Sequence, residues 1–276
     1  MSVPGSCGEL AQGIYRGRPY LVTCPIDAYT TVTVSDKWQG LEGLGEKSLQ
    51  SLRQVLAYLG KDIFPYGMKL ASELPPGKGM ASSSADIAAV AAAAAAALGR
   101  RLSAEEIMDI AVSIEPTDAV FFPGVVCVNQ VTGEVYARYR DLPRLKITVF
   151  DTGGTVDTVD FHEGSETVGE EMPPPVFTAQ APWHLAPSLA RAAEKSAFAN
   201  QSLLEKRGLR DLSLLARRWG ALGVNVAHSG TVIGVLWPED MKPARVQEAS
   251  LYLADNLSCV TLLRQARLTS GGVFYS

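Results

Sequence analysis

The stretch LPPGKGMASSSADIAAVAAAAAAALGR (residues 74–100) places a short loop of proline, glycine and serine directly before a run of alanine. Glycine lets a backbone approach a ligand closely, and the first turn of a helix presents unpaired N–H groups at the positive end of the helix dipole. The stretch therefore predicts an anion-binding loop and a helix that begins near Ser84. An ordinary turn before a helix is the alternative. Alanine at this density indicates a helix packed tightly against its neighbours.

Two common phosphate-binding loops do not fit this stretch. Walker A requires the order G-x-x-x-x-G-K-[ST], whereas Lys78 precedes the second glycine here. The dinucleotide fingerprint G-x-G-x-x-G is met only by Gly77 and Gly79, because Ser82 stands at the third glycine. The loop therefore belongs to neither of these two classes.

The composition limits the classes of function. The chain has 276 residues, 47% of them hydrophobic, which is enough for one large domain or two modest ones. A net charge of −4 without blocks of like charge argues against nucleic acid or an anionic membrane as partner. The first residues show no signal peptide, and the apolar run 87–98 is too short to span a bilayer. We therefore expect a cytoplasmic protein, without a zinc site and with four reduced cysteines: Cys7, Cys24, Cys127 and Cys259.

Hydrophobic periodicity and turn signals predict the elements around the loop. Before the loop they are two strands within 10–24, a strand over 28–35, a helix over 49–59 and a strand over 66–74. After the loop, Ser103 and Glu106 predict a capping box at the start of a helix. A hairpin over 125–131 and 135–140 and a strand over 145–151 follow.

The second half of the chain predicts a further α+β unit with an antiparallel sheet. A long irregular connection over 163–187, rich in Glu, Gly and Pro, lies near the expected boundary. The predicted helices cover 187–206, 211–222 and 243–256, and the predicted strands cover 231–237 and 259–265.

A third loop pattern does fit the opening stretch. The run P-P-G-x-G-M-A-S-S-S-A resembles the second motif of the GHMP kinases, P-x-G-x-G-L-G-S-S-A, with Ala81 in place of one glycine. This superfamily includes galactokinase, homoserine kinase and mevalonate kinase. The resemblance implies that the loop backbone wraps the phosphates of ATP and that the Ser83 hydroxyl helps to hold Mg²⁺. The implied ATP-binding residues are Pro76, Gly77, Lys78, Gly79, Met80, Ala81, Ser82, Ser83 and Ser84.

Three stretches resemble one branch of the superfamily more closely, the L-threonine kinases of cobalamin biosynthesis. They are PGSCGELAQG (4–13), CPI (24–26) and PGKGMASSSAD (76–86). The branch implies transfer of the γ-phosphoryl of ATP to the hydroxyl of L-threonine, which gives O-phospho-L-threonine for the cobalamin side chain. The implied substrate-binding residues are Cys7, Gly8 and Glu9, with Glu9 as the partner of a substrate ammonium. A surface charge at a strand edge is the alternative for Glu9.

The segment IEPTDAVFFPGVV (114–126) resembles the family stretch in which an aspartate precedes an aromatic-rich strand. On this resemblance Asp118 is the catalytic carboxylate and Glu115 is a ligand of Mg²⁺. Phosphoryl transfer to an alcohol needs a group that orients the hydroxyl and accepts its proton, and a carboxylate does both. The alternative is that Asp118 only ends a helix after Pro116.

Other candidate residues carry weaker signals. The segment VNVAHSGTVIGVLW (224–237) resembles the third family motif at Ser229 and Gly230, and His228 beside them is expected to be structural. The paired glycines of 151–158 predict either a loop that closes on a substrate or a simple turn. Lys78 predicts either a charge beside the phosphates or a solvated side chain.

These resemblances imply an α+β protein with the two-lobe GHMP kinase fold. A ribosomal-protein-S5-like lobe is expected over 1–143 and a ferredoxin-like lobe over 144–276. The expected ligands are ATP, Mg²⁺ and an amino acid, with no nucleic acid or membrane partner and with a homodimer allowed. The alternatives are a GHMP kinase for homoserine, serine, ethanolamine or an isoprenoid alcohol, and a ligand sensor that has lost catalysis.

Overall fold

Ten strands and six helices make up the described part of the chain, residues 1–154 and 185–275, in this computed structural model. The strands are β1 (Ser2–Tyr15), β2 (Arg18–Ser35), β3 (Leu41–Glu42), β4 (Gly67–Ser72), β5 (Val125–Val128), β6 (Val135–Tyr139), β7 (Leu145–Asp151), β8 (Gly223–Val226), β9 (Val232–Pro238) and β10 (Thr261–Arg267). The helices are α1 (Glu46–Tyr58), α2 (Ser82–Ala97), α3 (Ala104–Val112), α4 (Ala186–Ala199), α5 (Leu209–Arg218) and α6 (Pro243–Asn256).

A single sheet runs through both predicted lobes. Its strand order is β10-β7-β9-β8-β1-β2-β4-β3, and β5 and β6 extend it from β2. Strand β1 joins the halves, because it pairs with β2 along its length and with β8 through Glu9 and Val226. The tail after β10 returns to the first half, where Phe274 pairs with Ser2. The boundary between 143 and 144 stays a prediction.

Helix α2 brings the loop of residues 76–81 to the middle of this sheet. Its residues from Ile87 to Ala95 are buried, and it packs on β1, β2, α1 and α3. Small alanine side chains let the neighbouring backbones approach closely. The hydroxyl of Ser51 on α1 also donates to the carbonyl of Ile87 at 2.8 Å. This packing confirms the expected tightly packed helix and fixes where its N-terminus lies.

Several local predictions are confirmed. The first hairpin turns at Arg16 and Gly17, which both have positive φ. The capping box of α3 is complete, since the Ser103 side chain accepts from Glu106 N at 3.1 Å and the Glu106 side chain accepts from Ser103 N at 2.8 Å. Helix α6 covers 243–256 as predicted. Within the described residues, no helix has the length and apolar character needed to cross a membrane.

Other predictions are wrong in part. Strand β1 begins at Ser2 and runs through the stretch PGSCGEL, with register shifts on either side of Gly8, which has φ +55°. The helix predicted over 187–206 ends at Ala199, where a short 3-10 turn takes over. Phe121 and Phe122 lie in a turn before β5 rather than in a strand. Strand β8 was not predicted, and most of the connection 163–187 lies outside the described residues.

Candidate active site

The loop before α2 has a backbone conformation suited to binding an anion. Gly77, Gly79 and Ala81 have φ values of 69°, 78° and 55°, and Ala81 is the N-cap of α2. Among the described residues, no acceptor is hydrogen-bonded to the N–H groups of the run from Lys78 to Ser84. Unpaired N–H groups at a helix N-terminus attract phosphate through their direction and the helix dipole. The geometry therefore fits the predicted phosphate loop.

Neighbouring strands hold this loop through its carbonyl groups. Two bonds come from β1, and two come from the first residue of β9 and the residue before it, so that the loop carbonyls point into the protein. These bonds are Ser6 N to Met80 O at 3.0 Å, Gly8 N to Gly79 O at 3.1 Å, Thr231 N to Lys78 O at 2.9 Å and Val232 N to Lys78 O at 3.2 Å.

The second half of the chain also packs directly on the loop. A Cβ atom added to Gly230 would overlap Gly79 Cα, and one added to Gly79 would overlap the Ala227 side chain. Glycine is therefore needed at both positions for this close approach. Gly230 thus lies beside the loop, as the third-motif resemblance implies.

The serines that begin α2 have separate environments. The Ser83 hydroxyl oxygen is buried and has no hydrogen-bond partner in the described chain. A buried polar atom without a partner is costly, so this oxygen is suited to a ligand. Ser84 instead accepts a hydrogen bond from Asp118 N at 3.0 Å. That bond ties the segment of Asp118 to the first turn of α2.

Asp118 is half-buried, and no described side chain hydrogen-bonds its carboxylate. Burial raises the pKa of Asp118 well above its usual range, and the negative charges of Glu9 and Glu115 raise it further. Glu115 is buried and forms an ion pair with Lys47 of α1. The structure thus brings the three predicted carboxylates into one electrostatic cluster.

Glu9 lies inside the protein, so the alternative of a surface charge is wrong. Its Oε2 accepts from His228 N at 2.7 Å and lies 2.9 Å from His228 Nδ1. The other ring nitrogen of His228 lies 3.1 Å from the Ser196 hydroxyl of α4. His228 therefore holds the Glu9 carboxylate through Oε2, and no described residue hydrogen-bonds Oε1.

The other two predicted substrate-binding residues are packed by protein. The Cys7 side chain is fully buried, and its thiol lies against Gly234 of β9. Gly8 has no room for a Cβ atom because the backbone of Val226 and Ala227 lies directly against it. Neither residue presents a side chain to a ligand, and their contact with a substrate stays a prediction. They shape β1 where it carries Glu9.

Lys78 is not a solvated side chain. Its Nζ lies 2.6 Å from Asp151 Oδ2 and donates to Gly154 O at 2.6 Å. This ion pair joins the loop to the end of β7, a third arrangement beside the two that the sequence suggested. The described part of the segment 151–158, residues 151–154, therefore contacts the loop.

Lys206 is a buried cation that the sequence did not single out. It is 2% exposed, and within residues 1–154 and 185–275 its ammonium makes one long hydrogen bond, of 3.4 Å to Leu204 O. Burial lowers the pKa of Lys206 from its usual 10.5 to about 8, against an opposing effect from Glu9. The run Glu205-Lys206-Arg207 is typical of an exposed turn, so no sequence signal distinguishes the middle residue.

No group of three or more His, Cys, Asp or Glu residues that could hold a metal ion occurs in the described ranges. All four cysteines are free thiols, as predicted. Mg²⁺ in kinases binds one or two protein ligands together with the phosphates of the nucleotide. The buried Ser83 oxygen, which has no partner among the described residues, and the carboxylate of Glu115 could supply one or two such ligands.

Fold and loop together define a kinase of the GHMP class. The family model described as "GHMP kinases N terminal domain" matches residues 47–123. Relatives named L-threonine kinase, from Citrobacter freundii and Salmonella typhimurium, are each 34% identical over 84% of this chain. The matches cover 84% and 81% of those two proteins. The chain belongs to this L-threonine kinase family of the GHMP kinases.

Solved structures agree on the fold. Mevalonate kinase from Methanococcus jannaschii superposes with a TM-score of 0.72 at 12% identity, over 98% of each chain. A 4-(cytidine 5'-diphospho)-2C-methyl-D-erythritol kinase gives a TM-score of 0.66 at 21% identity, over 99% of this chain and all of the other. A homoserine kinase from Cytophaga hutchinsonii gives 0.62 at 18% identity, over 98% and 96%. These likenesses confirm the predicted α+β GHMP kinase fold.

Proposed function

We propose that this protein transfers the γ-phosphoryl group of ATP to the hydroxyl of L-threonine, giving O-phospho-L-threonine and ADP. The observation that carries the proposal is the hydrogen bond from Asp118 N to Ser84 Oγ at 3.0 Å. This bond holds the segment of Asp118, whose carboxylate has a raised pKa, at the N-terminal end of α2. No described acceptor pairs with the N–H groups there. A phosphate loop and a proton acceptor in one place are what an alcohol kinase needs.

The loop residues 76–84 would bind the ATP phosphates, chiefly through backbone N–H groups. Such groups are fixed before the reaction and stabilise charge on the transferring phosphoryl without reorganisation. Ser83 Oγ would be one ligand of Mg²⁺, with Glu115 as the proposed second ligand. When bound, Mg²⁺ supplies charge neutralisation at the phosphate oxygens. The ion pair with Lys47 holds the Glu115 side chain in place.

Asp118 would orient the threonine hydroxyl and accept its proton. The hydroxyl oxygen forms a bond to the γ-phosphorus as the bond from that phosphorus to the β–γ bridging oxygen breaks, and ADP leaves. An ionised carboxylate whose pKa is raised is a stronger base than an ordinary aspartate. Glu9 and Glu115 therefore tune Asp118 for this step.

Glu9 would pair with the ammonium of the amino acid through Oε1, the oxygen that His228 leaves available. A buried carboxylate needs compensation, and a substrate ammonium provides it. This pairing favours an amino acid over a sugar or an isoprenoid alcohol. The resemblance of three stretches to the cobalamin branch supports cobalamin side-chain synthesis as the use of the product. The four free cysteines support the cytoplasm as its place.

The test is a comparison of acceptors with purified protein and Mg·ATP. ADP release would be measured with L-threonine, L-serine, L-homoserine, ethanolamine and mevalonate, and the product would be identified by phosphorus NMR. We expect the highest kcat/KM with L-threonine, and lower activity with ethanolamine. Faster turnover of a sugar or isoprenoid alcohol would overturn the acceptor and leave the kinase class. Binding of ATP and threonine without ADP release would favour the sensor alternative.

A further inference from the structure

We propose that the ion pair between Lys78 and Asp151 is a positioning device that sets the phosphate loop in its ATP-binding shape. The inference rests on the proposed ATP binding and names two residues that act on the nucleotide through the loop backbone. The pair links the centre of the loop to the end of β7, 73 positions further along the chain. The side chains of Lys78 and Asp151 are 18% and 11% exposed. Salt and solvent therefore screen this pair less than a surface pair.

Asp151 is held on both of its oxygens. Oδ2 faces Lys78 Nζ, while Oδ1 accepts from the Thr231 hydroxyl at 2.5 Å and from Gly153 N at 3.2 Å. Burial favours the neutral acid, yet the hydrogen bonds from Lys78 and Thr231 hold the pKa of Asp151 below its usual range. Asp151 is thus a fixed negative charge that anchors the lysine in one direction.

The same part of the second half also holds the Lys78 backbone. Lys78 O accepts hydrogen bonds from Thr231 N and Val232 N, next to the contact between Gly79 and Gly230. The side chain and the carbonyl group of Lys78 are therefore both held in place. Thr231 contributes to each, because its hydroxyl bonds Asp151 and its N–H bonds Lys78 O. The loop carbonyls are directed into the protein as a result, and the unpaired N–H groups are left for a ligand.

Such fixing matters because the loop contains three left-handed residues, at positions 77, 79 and 81. A loop rich in glycine has many other conformations available when it is free. Ordering it only when ATP binds would cost affinity, whereas ordering it beforehand removes that cost. Lys78 acts in this way as a positioning residue, and its charge is largely balanced by Asp151.

A direct contact between Lys78 and a phosphate is the competing explanation, and it makes an opposite prediction for Asp151. If Lys78 binds phosphate directly, Asp151 competes with ATP for the ammonium, and Asp151→Asn should tighten ATP binding. If the pair positions the loop, Asp151→Asn should weaken ATP binding as Lys78→Met does. The double variant should then be no weaker than the weaker single variant.

The experiment measures the Kd of ATP by calorimetry without any acceptor, for Lys78→Met, Asp151→Asn and the double variant. We expect each to weaken ATP binding by about tenfold. In turnover assays KM for ATP should rise while kcat at saturating ATP and KM for the acceptor stay within about threefold. Lys69→Met and Glu42→Gln, which break an exposed pair with a 2.6 Å contact, are the matched controls and should change nothing.

Tighter or unchanged ATP binding in Asp151→Asn, or losses that add in the double variant, would overturn the proposal. A lowered melting temperature with unchanged Kd in the folded fraction would also overturn it, because the pair would then be only structural. If Lys78→Met does not fold, Lys78→Arg retains a cation for Asp151 and should bind ATP within about threefold of wild type. Because no acceptor is present, failure of threonine as substrate leaves this test unaffected.

Discussion

Along residues 76–84 the site is lined by backbone N–H groups, whereas around Asp118 it is lined by carboxylates that the fold has buried. The proposed nucleotide side combines the left-handed backbone of residues 77, 79 and 81, which the local sequence favours, with hydrogen bonds and one ion pair from distant strands that hold that backbone in place. The acceptor side depends on charges brought together from distant positions, with Glu9 and His228 separated by 219 positions. The two sides should therefore respond differently to substitution, the first through ligand affinity and the second through the chemical step and pH.

The largest effect is expected from Asp118→Asn. It should lower kcat by about a hundredfold to ten-thousandfold with little change in ATP affinity, because Asn cannot accept the hydroxyl proton. Steady-state ADP release at saturating ATP and threonine measures it, with Asp109→Asn on the exposed side of α3 as control. Equal losses in kcat and kcat/KM would mark a transition-state interaction. Near-wild-type turnover would remove the assignment of Asp118 as base.

Ser83→Ala tests the nucleotide side. It should weaken Mg·ATP binding or turnover by about tenfold to a thousandfold, because a buried oxygen suited to the metal is lost. Titration of ATP and of Mg²⁺ in the turnover assay measures the change. Ser113→Ala at the end of α3 removes a hydroxyl whose partner is Ile110 O, outside the site, and should be neutral. Unchanged kcat and KM for ATP would refute the Ser83 role.

Lys206→Met tests how much the buried charge of Lys206 lowers the stability of the protein. At pH 7 we expect the free energy of unfolding to rise by up to about 3 kcal/mol, because a buried cation whose pKa is lowered by burial is removed. Urea denaturation of both proteins measures it, with the exposed Lys37→Met as control.

The advantage of Lys206→Met should shrink as pH rises. The pKa of Lys206 is about 8 in the folded protein against an ordinary 10.5, so between these values the unfolded chain holds a proton that the folded chain has lost. Wild-type stability therefore gains relative to the variant across that window. A difference that is constant from pH 7 to 10 would contradict the lowered pKa.

Glu9→Gln should move the acid limb of the kcat/KM profile to lower pH. Glu9 is one of the negative charges that raise the pKa of Asp118, and without it Asp118 ionises more easily. Threonine turnover measured from pH 5 to 8 tests this, with the exposed Glu134→Gln as control. An acid limb that stays in place or moves upward would show that the two carboxylates do not interact.

The smallest effect is expected from Ala81→Gly. Ala81 has φ +55°, a conformation that costs an L-residue about 1 kcal/mol and glycine little. The substitution should raise stability by up to about 1 kcal/mol, since the greater freedom of glycine in the unfolded chain offsets part of the gain. Ala96→Gly within α2 should do the opposite. A lower melting temperature for Ala81→Gly than for the wild type would contradict backbone strain at Ala81.

The loop, the capping box and α6 could be predicted because their signals lie within a few neighbouring residues. Turn glycines, an N-cap serine and the spacing of apolar residues act locally, so the sequence carries them directly. The resemblance of the loop to one family then identified the fold and the candidate residues together.

Partnerships between distant residues could not be predicted in this way. The residues next to Lys78 in the sequence do not indicate that it pairs with Asp151, and those next to Glu9 do not indicate His228. The order of strands in the sheet creates both contacts. The burial of Lys206 among charged neighbours is equally invisible. The end of α4 at Ala199, where Asn200 is the C-cap and begins a 3-10 turn, was also missed.

Strand β1 has neighbours from both halves of the chain, β2 on one side and β8 on the other. Separating the halves near residue 143 would expose a strand edge in each fragment, and an open edge pairs readily with other chains. We expect the intact protein to unfold in one cooperative transition and the isolated fragments to aggregate. A mutation that destabilises either half would then disrupt the proposed active site along with the global fold, because Glu9 lies on the strand that both halves share.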